Sequence, residues 1–176
     1  MNLIEVFKSA FEPFLDGDKP PLHIGEAYHL WYYKIGIENT LKNAQIGLNV
    51  CQDPELKEKI NDLIENVLKP IKTELEDFLK NEGVPLPNIS PEKPLIMDVS
   101  NLSEGIKLTD EETANQLSWA VLMGIQIATR GLTESVRADV GAHFGKYQML
   151  LMIWGLTMKQ LLTKKGWLHT PPSFKG

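Results

Sequence analysis

Four long stretches of this 176-residue chain repeat their apolar residues at steps of three and four, and a proline-rich segment divides them into two pairs. That spacing marks one apolar face of an α-helix, whereas strands alternate at every second residue. The first long stripe carries Leu30, Ile37, Leu41, Ala44, Leu48 and Cys51. The second carries Leu56, Ile60, Leu63, Val67, Ile71, Leu75 and Phe78, and it opens on Asp53-Pro54, a capping residue followed by a residue suited to the first helical turn. Pro70 falls inside this second stripe and should bend the helix without ending it, because periodicity continues on both sides. The third stripe runs through Leu117, Val121, Gly124, Ala128 and Gly131, behind a capping box formed by Thr109 and Glu112. The fourth is Val140, Phe144, Tyr147, Leu151, Trp154, Met158 and Leu161, and it stops at Gly166. Ile4, Phe7, Phe11 and Phe14 add a short helix at the N-terminus, closed by the breaker-rich "LDGDKPPL".

The pattern predicts a single all-α domain: a short helix over 2–15, bundle helices over 24–52, 54–82, 110–136 and 139–165, and a non-helical connection over 84–108. Helices of about 25 residues are roughly 38 Å long. The connection contains "VPLPNISPEKP", whose prolines lack the donors that a helix or a central strand needs. Fully extended it reaches about 80 Å, twice the length of the bundle. Simple up-and-down bundles need only short loops, so a connection this long predicts a crossover along the bundle, the ferritin-like arrangement.

Composition narrows the function classes. A net charge of −5 with no basic cluster longer than Lys164-Lys165 excludes a nucleic-acid surface. No apolar run approaches the roughly 18 residues of a membrane span, and the N-terminus lacks the basic start of a secretory signal. The single cysteine, Cys51, excludes an intramolecular disulfide and points to a reducing, cytoplasmic setting. Neither a Gly-x-Ser-x-Gly elbow nor a phosphate-binding glycine loop is present. Gly124, Gly131, Gly141 and Gly145 fall inside helical patterns and predict close helix approaches. Trp31, Trp119 and Trp154 are expected in the core or at an interface, such as that of a homodimer or another protein complex.

The stretches "GEAYHLWYYK", "DPELKEKI", "ELEDFLKNEGVPLP" and "RADVGAHFGKY" through "KKGWLHTPP" together resemble a family from spore-forming bacteria. Its members are largely uncharacterised, and some are labelled "putative spore-coat" proteins. The resemblance extends from about Glu26 to Pro172. It implies a ferritin-like bundle and spore association, and it implies no particular activity.

A crossover also gathers polar residues. Bundle helices one and four would begin at the end where two and three finish, which places His23, Glu26 and His29 at the level of Asp139 and His143, with Glu74 and Glu134 near. Glu26 and Glu74 lie on otherwise apolar tracks, where a carboxylate needs a partner or a metal. Ferritin-like di-iron sites use two Glu-x-x-His pairs and two further glutamates. This chain has Glu26-x-x-His29 once and Asp139-x-x-x-His143 in place of a second copy, so it departs from a di-iron oxidase. Two readings stay open. One is a metal site for iron, zinc or nickel drawn from His23, Glu26, His29, Glu74, Asp139 and His143, centred on Glu26, His29 and His143. The other is a structural polar cluster, with Asp139 capping the last helix and the glutamates paired to Arg130 or Arg137.

Overall fold

The computed structural model describes residues 19–174 apart from 97, 98 and 100. The short N-terminal helix expected over 2–15 lies outside the described residues. The described chain is all-α: α1 (Ile24–Val50), α2 (Pro54–Asp62), a π-helical segment (Leu63–Leu68), α3 (Lys69–Asn81), a 3-10 turn (Glu104–Ile106), α4 (Asp110–Glu134) and α5 (Ala138–Lys165). Because α2, the π segment and α3 follow one another without a break, they form one rod, and the molecule is a four-helix bundle. None of its described helices is long and apolar enough to cross a membrane.

Each helix start is chemically specified. Asp53 accepts from the backbone N–H groups of Glu55 and Leu56, and Thr109 with Glu112 closes a reciprocal capping box. Such caps satisfy donors that have no partner inside the helix. At the start of α1 a histidine takes the capping place: Nδ1 of His23 accepts from Gly25 and Glu26, while Glu26 accepts from the His23 N–H. Gly166 ends α5 at φ +73°, a left-handed conformation that suits glycine. Pro70 does not end its helix. The π segment directly before it carries a Lys69 N–H to Ile64 O bond, one residue longer than the α pattern.

The segment after α3 is a crossover. Asp110 accepts from the N–H groups of Gln52 and Asp53, so α4 starts beside the end of α1. Val136 and Arg137 donate to Glu26, so α5 starts beside the beginning of α1. Arg137 also holds Glu82, just past α3. The chain must therefore return along the whole bundle between Glu82 and Asp110. It does so on the α1 side, stitched by Lys42 to Ser90 O, Gln45 to Glu92 and the Lys93 N–H, and Asn49 to Pro94 O and the Ile96 N–H. Lys42, Gln45 and Asn49 share one helical face, and they supply partners that a proline-rich strand cannot find within itself.

The rod and α4 flank α1, and both also pack on α5. The expected stripes form the core, with Trp154 buried and donating through Nε1 to Lys59 O. Helices α4 and α5 approach most closely at glycines: a Cβ on Gly131 would lie 2.6 Å from the Phe144 ring, and one on Gly124 would lie 2.9 Å from Leu151. Gly36 has open space where its Cβ would be. We therefore expect Gly131→Ala to lower stability by about 1–3 kcal/mol through overpacking, although alanine is the better helix former. Gly36→Ala should raise stability by up to about 1 kcal/mol. Urea denaturation of the two variants checks both signs.

Candidate functional site: the polar end of the bundle

The end where α1 and α5 begin is polar because helix starts expose N–H groups and the partial positive end of the helix dipole. Glu26 reaches across from α1 and accepts from the N–H groups of Val136 (2.8 Å) and Arg137 (2.7 Å), the uncapped start of α5. Burial alone would raise its carboxyl pKa, yet these backbone donors lower it below the usual range. Both oxygens are in use, since the second accepts from the His23 N–H.

Arg137 is buried directly behind it, 6% exposed. Its guanidinium is bidentate to Glu82 (2.7 and 2.8 Å) and bidentate to Asp139 (2.8 and 3.1 Å), donates to Pro20 O, and lies over the Phe78 ring. Lys19 adds a second cation to Asp139. Against the upward push of burial, the hydrogen bonds from Arg137 and Lys19 hold the Asp139 carboxyl well below the usual range. Asp139 sits in the first turn of α5 and not at its cap, two places past Arg137, which holds that position, and its Oδ1 accepts from the Val140 N–H at 2.9 Å.

The remaining candidates fall into two further groups. On the seam between α1 and α4, His29 Nε2 lies 2.7 Å from Glu134, whose other oxygen accepts from Arg130. On the seam between α3 and α5, His143 Nδ1 lies 2.9 Å from Glu74, which also accepts from Lys146 at 2.6 Å. Burial opposes ionisation of Glu74, and its two partners more than compensate, leaving its pKa lowered. The Tyr147 hydroxyl lies 3.3 Å from the same His143 nitrogen.

The structure thus brings His23, Glu26 and Asp139 to one end as expected, but Glu26, His29 and His143 do not converge on one point. His29 and His143 stand on opposite seams, each with its own carboxylate, while Glu26 is consumed by backbone donors. Among the described residues no three His, Cys, Asp or Glu side chains are grouped as a metal ion would require. Chemically, the end is a set of closed ion pairs, and the Glu74–His143 pair borders an open cleft lined also by Thr73, Asp77 and Asn81.

Sequence reasoning missed a second buried polar seam. Lys34 Nζ is 2.6 Å from Glu38 and 2.9 Å from Glu76, and Glu38 faces Lys72, which pairs with Glu92 of the crossover. Its signal was present: Lys34 and Glu38 sit four apart inside the stripe of Leu30, Ile37 and Leu41, where only paired charges are tolerated.

Comparison with known proteins agrees with this architecture. Residues 13–175 match the family described as "Protein of unknown function (DUF3231)". The chain belongs to the DUF3231 family. Within reach of the DUF3231 chain by sequence is the uncharacterised protein YvdQ of Bacillus subtilis, 32% identical over 152 residues, covering 86% of this chain and 88% of YvdQ. The fold of this chain is similar to a crystal structure described as a "putative spore coat protein" from Bacillus halodurans, with TM-score 0.84, 27% identity, and coverage of 89% of this chain and 98% of that one. A conserved hypothetical protein of Mycobacterium tuberculosis shares the fold at TM-score 0.64 and 13% identity, covering 80% of this chain and all of that one.

Among the described residues, Arg137→Met would leave the buried Asp139 with one exposed cation and Glu82 with none, and should cost about 3–5 kcal/mol in chemical denaturation at pH 7. Asp139 has a depressed pKa in the folded state, so its contribution is present above the unfolded value near 3.9 and is lost as pH falls below it. Asp139→Asn should therefore be less stable than wild type at pH 7, and its stability should fall less between about pH 5 and pH 2. Elemental analysis of protein purified without a histidine tag should find less than one iron, zinc or nickel per chain.

Proposed function

We propose that this DUF3231 protein is a non-catalytic structural or interaction component associated with sporulation, a packing module that joins an assembly from the cytoplasm. The observation that carries the reading is an exposed apolar face on α4 and α5. Trp119 is 64% exposed and Leu156 is 63% exposed, with Leu122, Met152 and Ile153 also exposed. Val121 packs on Gly155 and Gly124 on Leu151, so these exposed residues stand at the same level of the two neighbouring helices. Large apolar side chains grouped on the outside of a monomer mark contact surfaces, and tryptophan is enriched among the residues that anchor them. The ionisable groups described above are instead paired with one another, which suits a rigid building block. The spore-coat description of the Bacillus halodurans protein supports the sporulation setting.

The test uses a fluorescent fusion expressed in sporulating Bacillus subtilis. The fusion should collect on the developing spore, and Trp119→Glu with Leu156→Lys should release it while helicity and melting temperature stay within a few degrees of wild type. A fusion that stays evenly dispersed, or one that is indifferent to the paired substitution, contradicts the reading.

A further inference from the structure

The outer face of α4 carries a second stripe. Glu112, Asn115, Trp119, Leu122, Gln126 and Thr129 follow one another at alternating steps of three and four, the spacing that lets one helix lie along another. Asn115 is half-buried and the other five are exposed. This seam lies on the side of α4 opposite Leu117, Val121 and Ala128, which face the core.

The seam has the same chemistry read in either direction. A two-fold axis midway between Trp119 and Leu122 sets Trp119 of one chain against Leu122 of a second copy, and Asn115 against Gln126. Glu112 then meets Thr129 and its neighbour Arg130, an exposed base. Apolar meets apolar, amide meets amide, and the acidic first turn of α4 meets the one base of that helix.

Charge argues for a copy as the partner. Each chain carries a net −5, so two copies repel unless the contact between them is neutral. In α4 no charged residue stands between Glu112 and Arg130, and in α5 none between Lys146 and Lys159. All four charged residues of α1, namely Glu26, Lys34, Glu38 and Lys42, are buried. The middle of α4 and its flanks on α5 and α1 are thus uncharged, in a chain that is 23% charged overall.

We propose that α4 of a second copy of this chain packs antiparallel along the seam, making a two-fold dimer centred between Trp119 and Leu122. The proposal rests on the reading of the α4–α5 face as a contact surface and names what covers its α4 side. A two-fold contact uses the same patch twice and must be complementary to itself. An unrelated partner would impose no such symmetry.

Sedimentation velocity of the purified full chain over a concentration series tests the pairing. Wild type should move from 19.9 kDa toward twice that mass. Leu122→Glu and Trp119→Lys, each alone, should stay monomeric with unchanged circular dichroism. Mixed one to one, the two variants should associate at least about tenfold more tightly than either does with itself. The mixed dimer keeps one native Trp119–Leu122 contact and replaces the other by an ion pair. Wild type that stays monomeric up to about 100 μM overturns the pairing. So does either variant dimerising as wild type does, or a mixture no tighter than its components. If the monomer instead floats with phosphatidylcholine vesicles, the seam belongs to a lipid surface and the pairing fails. A monomeric chain whose fusion still collects on spores overturns the pairing and leaves the packing-module reading in place.

Discussion

A single buried guanidinium fixes how this bundle closes. Arg137 binds the carboxylates of Glu82 and Asp139 and the Pro20 carbonyl, so one side chain joins the entry to α1, the exit from α3 and the start of α5. The planar fork of arginine makes two bidentate pairs from one position, a geometry that lysine cannot reproduce. Beside it, Glu26 supplies the α5 start with the carboxylate that a helix N-terminus favours. Donors and acceptors here are matched almost one to one. Removal of Arg137 leaves the buried Asp139 carboxylate with Lys19 alone, so the guanidinium ties the cluster into a unit that specifies the helix ends.

The same logic extends down the side of α1. A crossover that returns along a bundle covers a seam, and anything beneath it loses water. In this chain the covered seam holds Lys34, Glu38, Lys72 and Glu76, with the crossover itself contributing Glu92 and the Ser90 carbonyl. Prolines keep the crossover extended, and amide side chains on α1 take up its remaining backbone groups. The crossover is thereby a fourth layer of pairing, and its register on α1 is set by hydrogen bonds at Gln45 and Asn49, where an apolar contact would allow sliding.

The architecture was legible because it rests on periodicity and punctuation. The stripes of α4 and α5 appear in the core at nearly every expected position, and the prolines after Val84 mark the one connection too long for a simple turn. The polar end was legible only by level: topology placed His23, Glu26 and Asp139 together, yet spacing along a helix cannot say which seam a side chain faces. His29 turned toward α4 and His143 toward α3, which decides between one ligand set and two ion pairs. Trp119 was legible in part: two residues from both Leu117 and Val121, it lies about 200° round the helix from that stripe, and it is exposed. The Lys34–Glu38 pair was hidden by its charge, which reads as surface until the crossover is laid over it.

The π segment is where spacing and packing meet. Leu56, Ile60, Ile64 and Leu68 follow one another at steps of four, and in an α-helix of 3.6 residues per turn each such step drifts by about 40°. Three steps would carry Leu68 well away from the face that Leu56 occupies. A wider π turn over Leu63–Leu68 takes up the extra residue, and all four side chains stay buried. It also loosens the bonding just ahead of Pro70, which has no N–H to give and whose ring needs room near the preceding turn. The cost of the proline and the drift of the stripe are thus absorbed by one local change. Leu68, carried inward by that change, is fully buried, so the irregular turn keeps in the core a side chain that a regular helix would turn away.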